Sequence, residues 1–433
     1  MTTSVDKSTA FPWSVHSLEE QAALIADADW PPAVIAGAHR TGVLGVRSLV
    51  RHNVRATLFD CDSSMPGFRS VYGPARLCPN PDVEPEEWLR CMVELATEHE
   101  QRPVLIASAD QFVTAISKHA EALRKHYIFS PGIDLHGALA EKRTQYRLAR
   151  EHGMPLPRTE FAASLEEVQA FAREAVFPCL IKPNHFREWQ RFSSEHPLKN
   201  AKVSVARNAS QLCATYQLAA VVTPEVILQE VIQGDDSVKS VYLSCYDGRG
   251  RRIANAMFRE LRCDPMGFGP ASVTEPVFDR EVDEICDKFL RSMGYSGICE
   301  IEVKRDTRDG RVKLIEANPR LSGGGDAAPY AGVHLCWLHY LDLLGCPVMP
   351  VAPSDNHFRH IVLRADARAV PEYLRARAIT WRDVLNSYRG PKAYYDLDWR
   401  DWRYSLETLY FAGGAFAMRM MRRLVGGSGP LTK

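Results

Sequence analysis

Residues Gly297 to Asp326 read GICEIEVKRDTRDGRVKLIEANPRLSGGGD, and this stretch has the form of two strands joined by a turn. Ile298, Ile301 and Val303 are set against Glu300, Glu302 and Lys304, Asp309-Gly310 is a short-range hairpin signal, and Val312 to Ala317 supplies the returning strand. Side chains alternate along a strand, so Glu316, Asn318 and Arg320 share a face, and a register that sets Glu302 beside Glu316 brings two carboxylates together. Like charges opposed on a sheet repel. The pair, with the Asn318 amide beside it, therefore makes physical sense around a hard divalent cation such as Mg²⁺, with Mn²⁺ as a substitute. Arg320 is then placed to meet negative charge that the metal leaves uncovered, and Ser322 to Gly325 form a backbone able to turn its N–H groups on an anion. The competing reading is a solvated hairpin whose outer face is rich in glutamate.

The composition frames this site. A chain of 433 residues exceeds the size at which single cores stop growing, about 250–300 residues, so several domains are expected. Hydrophobic residues make up 45% and charged residues 24%, as in an ordinary soluble globular protein. Lys plus Arg equals Asp plus Glu at 53 each, which leaves no overall basic field to recruit nucleic acid. The 11 cysteines form no CxxC pair or Cys/His cluster and point to reduced thiols in a cytoplasm. The first residues carry no apolar core of signal-peptide length, and no run of 18 apolar residues occurs, so neither export nor a membrane span is expected.

A short helix is expected over Ser17 to Ala28, then a βαβ opening: PAVIAGA (Pro32 to Ala38), a helix-like GVLGVRSLVRHN, and ATLFDCD. PVLIAS (Pro103 to Ser108) reads as a further buried strand, with a helix over Ala109 to Lys125. The first turn has the glycine spacing of a P-loop without its Lys and Ser/Thr, and Gly37, Gly42 and Gly45 miss the GxGxxG spacing. Asp60 stands at a plausible ribose-binding distance, which keeps an NAD(P)-dependent oxidoreductase as a rival reading. His39 and Arg40, in the loop where the first strand ends, are candidates for substrate binding. Further on, ALAEKRTQYRLAREHG from Ala138 reads as one helix stopped by Gly153, Ser164 to Glu174 as another, and FPCLIKP (Phe177 to Pro183) as an apolar strand ending in Lys182. An ammonium in that slot suits a phosphate.

Glu302 followed fourteen residues later by Glu316-Ala317-Asn318-Pro319-Arg320 resembles the metal-binding signature of the ATP-grasp superfamily, enzymes that join a carboxylate to an amine or other nucleophile through an acyl phosphate. The resemblance covers about Pro32 to Gly345 and implies an α/β fold: a lead-in over 1–30, a Rossmann-like domain over 31–135, an ATP-grasp domain over 136–345 and an extension over 346–433. It implies that Lys142 and Lys182 meet the nucleotide phosphates and that residues 184–202 form a mobile loop over them. The strand PEVILQEVI would lead into a hinge where Gln229, Glu230, Val231 and Ile232 meet adenine and Asp236 accepts the ribose hydroxyls. Arg259 and Arg262 fall where related ligases place cations for the phosphates and the acyl intermediate, Arg262 being the better match.

Within the superfamily the sequence resembles the carbamoyl-phosphate-synthase-like and carboxylate–amine ligases, D-aspartate ligase-type enzymes among them. The implied activity is ATP-dependent: a small-molecule carboxylate is activated as an acyl phosphate and coupled to an amine, with ATP and Mg²⁺ bound, Mg²⁺ held by Glu302, Glu316 and Asn318, and Arg320 and Arg262 stabilising charge. The alternatives are the oxidoreductase and a non-catalytic nucleotide-binding protein. The resemblance leaves the tail unexplained. That tail carries Tyr394, Tyr395, Trp381, Trp399 and Trp402, then LYFAGGAFAMRMMRRL, read as a helix that docks on the protein or on a second subunit of a homodimer, or makes peripheral membrane contact through Arg419, Arg422 and Arg423.

Overall fold

The computed structural model describes residues 29–184, 186–199, 201–354 and 356–424. The helix expected over Ser17 to Ala28 lies outside the described residues. Strands β1 (Ala33–Ala36), β2 (Ala56–Asp60), β3 (Ala75–Leu77) and β4 (Val104–Ala107) form a parallel sheet in the order β3-β2-β1-β4. Both faces are covered, as a parallel sheet of continuous apolar strands requires. Val34 and Ala36 pack with Trp88 and Met92 of α2 (Pro85–Thr97) and Phe112 of α3 (Asp110–Lys118), while Ala33 and Ile35 pack with Val43, Val46 and Leu49 of α1 (Arg40–Val50).

Asp60 does not look outward. Its carboxylate accepts from the backbone N–H of Ala38 at 2.6 Å and of Asp62 at 3.1 Å, bracing the first turn, so the geometry removes the ribose contact on which the dinucleotide reading depended. Arg40 is buried as well. Its Nε donates to the Tyr395 carbonyl at 2.9 Å and its guanidinium lies 4.5 Å from the centre of the Tyr404 ring.

The chain then runs through α4 (Ile133–Ala140) and α5 (Lys142–Glu151). One helix was expected here; the backbone instead breaks at Glu141 (φ −90°, ψ 117°), which puts Lys142 at the start of a new helix. Gly153 takes the left-handed conformation that ends it, φ +69°. A small antiparallel sheet follows, β5 (Thr159–Ala162), β6 (Cys179–Pro183), β7 (Ser204–Ala206) and β8 (Val226–Glu230), ordered β5-β8-β6-β7. One face packs under α6 (Leu165–Glu174) and α7 (Ala209–Ala219), with Ile181, Leu228, Phe171 and Tyr216 in contact. The other face carries Leu180, Lys182, Ile227 and Gln229. The segment 184–202 differs from a free loop: Trp189, Phe192 and Leu198 are buried in the core under the small sheet, and Lys199 Nζ donates to the Phe192 carbonyl at 2.7 Å. Its aromatic residues anchor it.

The large sheet has the order β13-β12-β9-β10-β11-β14-β15, built from β9 (Lys239–Tyr246), β10 (Arg252–Cys263), β11 (Ala271–Pro276), β12 (Gly297–Arg305), β13 (Val312–Asn318), β14 (Arg359–Ile361) and β15 (Lys392–Tyr394). On one face Tyr242, Ile301, Val303 and Leu314 meet Cys286, Phe289 and Leu290 of α8 (Arg280–Ser292). On the other, Leu243 and Ile298 join α9 (Leu335–Leu343) and the parallel sheet in one core. Ile298 thus sides with Glu300 and Glu302, not with Ile301 and Val303 as its apolar character suggested.

The last two strands of that sheet come from the tail beyond residue 345. Between them stands α10 (Leu363–Arg375), and α11 (Trp402–Leu424) packs against it, with Tyr404, Thr408 and Ala412 buried and Trp402, Leu406, Leu409 and Tyr410 exposed. Among the described residues no helix is long and apolar enough to cross a membrane. The tail also explains two side chains. Arg262, expected beside phosphate, is 3% exposed and makes a two-pronged ion pair with Asp366 of α10, Nε–Oδ1 2.8 Å and Nη2–Oδ2 2.9 Å, with a third bond to Ser387 Oγ. Asp366, its counter-charge, also accepts from Ser272 and Tyr388. Asp236, expected at ribose, accepts from Tyr373 Oη of α10 and the Gly267 N–H at 3.2 Å, and pairs with Lys239 at 3.3 Å. Both are corrections to the expected site.

Removing one partner of a buried, hydrogen-bonded ion pair leaves a charge without compensation. Asp366→Ala is expected to lower stability by about 3–5 kcal/mol in urea denaturation, whereas Arg280→Ala, at an exposed pair, changes it by less than about 1 kcal/mol.

Candidate functional site

β12 and β13 pair antiparallel with Glu302 directly opposite Glu316 and Glu300 opposite Asn318. The register slips between Glu302 and Val303, whose partner is Leu314, so Ile315 is left over as a bulge. That extra residue matters. Uninterrupted alternation would send Leu314 and Glu316 to one face; the bulge keeps Leu314 and Ala317 with Ile301 and Val303 against α8, while Glu316 and Asn318 turn to the face of Glu300 and Glu302.

β13 is an edge strand, and α5 satisfies its outer backbone. Gln145 accepts from the Ala317 N–H at 3.0 Å and donates to its carbonyl at 2.6 Å, and Tyr146 Oη donates to the Ile315 carbonyl at 3.1 Å. The bulge is therefore pinned by the helix whose first residue is Lys142, and Lys142 Nζ stands 3.9 Å from Glu316 Oε1. From the facing small sheet comes Lys182, 8% exposed, donating to Gln229 Oε1 at 2.7 Å and Tyr146 Oη at 3.3 Å. Gln229 is held in turn by Thr159 Oγ1 at 2.9 Å, so its side chain positions the lysine. Burial lowers the Lys182 pKa to about 8, with Glu316 and Glu302 opposing the fall.

The structure thus brings together Glu302, Glu316, Asn318, Lys142 and Lys182. Arg320 joins their edge: it pairs with Asp110, Nε–Oδ1 2.5 Å and Nη2–Oδ2 3.1 Å, and donates to Asn318 Oδ1 at 3.1 Å. The hinge fits less simply. The N–H groups of Glu230 and Val231 bond to the carbonyls of Arg158 and Pro178, the Glu230 carboxylate accepts from the Val176 N–H, and Arg308 reaches the Val231 carbonyl at 3.3 Å. The N–H groups of residues 230 and 231 hold the strand in place and are not turned toward a ligand. Ile232 is buried.

Three residues escaped the sequence reading. Glu300 accepts from Asn318 Nδ2 at 3.2 Å and Ser322 Oγ at 2.6 Å, which orients the amide and ties the glycine turn to the carboxylates. A Cβ on Gly324 would stand 2.8 Å from Glu300 Oε2, so a side chain here would displace that carboxylate. Two-residue alternation from Glu302 already put Glu300 on the same face. Lys239 and Glu260, paired at 3.0 Å, continue the row behind Glu302, and only the pairing of β9, β10 and β12 could have placed them.

The charge pattern tests whether the donors fit a cation. Burial raises the Glu302 carboxyl well above its ordinary range, with Glu300, Glu260 and Glu316 adding to the rise, and burial likewise raises Glu300. Paired carboxylates in water-poor surroundings with an amide oxygen beside them form an oxygen donor set for a hard divalent ion. The linkage has a sign. Because folding raises the Glu302 pKa, its destabilising contribution is absent below the ordinary carboxylate range and grows as pH rises through it. In metal-free urea denaturation, Glu302→Gln is expected to exceed the parent in stability by on the order of 1 kcal/mol at pH 8 and by little at pH 4, with the excess removed by millimolar Mg²⁺.

Scanned against protein-family models, the chain matches none. It is 27% identical over 242 residues to a D-aspartate ligase of Enterococcus faecium, a match covering 54% of this chain and 57% of that one. The chain therefore spans little more than half of that relative. Its fold is shared with the ADP complex of an N5-carboxyaminoimidazole ribonucleotide synthetase, TM-score 0.59 at 13% identity over 81% of this chain and 86% of the other. The L-amino acid ligase from Bacillus licheniformis superposes with TM-score 0.54 at 13% identity, over 72% and 74% of the two chains. At such identities the likeness to the solved structures is one of fold.

Proposed function

We propose, from the premise that this chain has the ATP-grasp fold, that it is an ATP-dependent carbon–nitrogen ligase: it activates a carboxylate as an acyl phosphate and couples it to an amine. The carrying observation is the opposed pair Glu302–Glu316 with Lys182 and Lys142 reaching it from two other elements. ATP would sit between the two antiparallel sheets, with Lys182 and Lys142 meeting its phosphates. Glu302, Glu316 and Asn318 would hold Mg²⁺, which supplies charge neutralisation for the transferred phosphoryl group.

The residues of the chain do the positioning. Gln229 and Tyr146 hold the Lys182 ammonium where it would meet the nucleotide phosphates, and Lys142 adds a second cation at the open side. The substrate carboxylate attacks the γ-phosphorus, ADP leaves, and Arg320 faces the negative charge on the acyl phosphate and then on the tetrahedral adduct formed by the amine. Phosphate departs and an amide remains. Glu300 keeps Asn318 and Ser322 in register throughout. Arg262 and Asp236 have structural roles in this account. A cytoplasmic setting and small-molecule substrates belong to the same reading, and the exposed line Trp402, Leu406, Leu409 and Tyr410 is the surface through which a homodimer would form.

The test is ADP and phosphate release from ATP and Mg²⁺ across an array of acid and amine pairs. Turnover that needs both partners is expected, with Glu316→Gln lowering kcat by at least about 10²-fold. Turnover undiminished in that variant overturns the metal site, and ATP binding without turnover by any pair favours a non-catalytic nucleotide-binding protein. The Lys182 ammonium loses its proton above about pH 8, so nucleotide affinity is expected to fall above that pH; Lys182→Met should bind more weakly and show no such limb.

A further inference from the structure

Three thiols gather at the carboxyl end of the parallel sheet. β2 and β3 pair with Leu58 opposite Ala75, Phe59 opposite Arg76 and Asp60 opposite Leu77. One step further the Cys78 N–H donates to the Asp60 carbonyl at 2.9 Å, the bond that parallel pairing assigns to a Cys61–Cys78 pair. The two cysteines are therefore neighbours across adjacent strands. Such strands lie roughly 4.8 Å apart, inside the span of roughly 4.4–6.8 Å over which a disulfide joins two Cα atoms. Both side chains belong to one face, packing with the core that holds Phe59, Trp88 and Met92. Cys91 of α2 packs against the same core.

All three cysteines are reduced. Cys78 is 7% exposed, while Cys61 and Cys91 are half-buried. Burial raises the Cys78 thiol well above its ordinary range, and Cys61, Asp60 and Cys91 add to the rise. Cys78 thus stays a thiol, and Cys61 is the member of the pair that solvent reaches. The Cys61 sulfur has a further neighbour. Gln111 Nε2 donates to it at 3.6 Å, and Gln111 Oε1 has no hydrogen-bond partner among the described residues. Gln111 follows Asp110 in the first turn of α3, and Asp110 makes the two-pronged ion pair with Arg320.

We propose that Cys61 and Cys78 are a peroxide-responsive dithiol: hydrogen peroxide closes them into a disulfide, a thiol reductant reopens it, and closure takes from Gln111 the contact that steadies the turn holding Arg320. In the first step the Cys61 sulfur attacks the peroxide. A sulfur–oxygen bond forms, the oxygen–oxygen bond breaks, and the departing oxygen leaves as water with the thiol proton. The Cys78 sulfur then attacks the Cys61 sulfenic acid. The sulfur–sulfur bond forms, the sulfur–oxygen bond breaks, and a second water carries off the Cys78 proton. Two thiols and one peroxide thus give one disulfide and two waters, the thiols losing the two electrons that the peroxide gains.

The experiment exposes the full chain to a small molar excess of hydrogen peroxide, alkylates the remaining thiols and maps crosslinks by peptide mass spectrometry. A Cys61–Cys78 crosslink that dithiothreitol removes is expected in most chains. It should persist in Cys91→Ser and vanish in Cys61→Ser, and in Cys78→Ser the Cys61 sulfenic acid should accumulate and be trapped by dimedone. Hydrogen exchange then compares the reduced and oxidised parent. Amides of residues 110–118 are expected to exchange at least about threefold faster in the oxidised chain, a change that peroxide does not produce in Cys61→Ser. No crosslink in the parent, or one that joins Cys91 to either partner in its place, overturns the proposal. A Cys61–Cys78 crosslink that leaves exchange in α3 unchanged overturns its link to Arg320. Each readout is of the chain without substrate, so none depends on the ligase reading.

Discussion

Two carboxylates face each other across a pair of hydrogen-bonded strands, and much of the molecule is arranged so that they stay there. Unit charges of like sign about 5 Å apart repel by roughly 3 kcal/mol at the effective dielectric of about 20 that describes protein sites. A hairpin alone would relieve this by slipping or by turning one side chain away. Here slippage is blocked by the bulge at Ile315, by Gln145 and Tyr146 bonding the outer backbone of β13, and by Glu300 bonding the amide and hydroxyl on either side. In that rigid frame burial and the neighbouring carboxylates raise the Glu302 pKa, a cost that a cation entering the frame would relieve.

That frame reaches across three sheets. The small sheet contributes Lys182, aligned by Gln229 and Thr159, and helix α3, which follows the last strand of the parallel sheet, contributes Asp110, which holds Arg320 at the edge of the carboxylates. No single element contains the site. Each charged group is placed by a neighbour whose own position depends on apolar packing elsewhere, such as Leu314 and Ala317 beneath α8.

What the sequence disclosed follows the range of the forces involved. Local alternation was enough to put Glu302 on a carboxylate face and to set Lys182 at a strand end, and the Asp309-Gly310 turn to join the two strands, because these depend on neighbours along one hairpin or strand; the register that opposes Glu302 to Glu316 was left open. The bulge was invisible, since it arises from competition between the α8 core and the carboxylate face for the same strand. Arg262 and Asp236 were misjudged for the same kind of reason. Their partners Asp366 and Tyr373 lie more than a hundred residues away in the tail, and only the finished fold brings them near. The break at Glu141 left no mark in an otherwise helical run, yet it gives Lys142 its place.

The tail's entanglement bears on where the chain can be divided. Residues beyond 345 complete the large sheet beside β11, neutralise Arg262 in the interior, and tether Arg40 and Arg47 through Tyr395 and Asp398. Cutting the chain at residue 345 would bare the side of β11 and take partners from three buried guanidinium groups at once. The segment is therefore an integral part of the folded unit, its side chains serving as counter-charges for residues of α1 and β10.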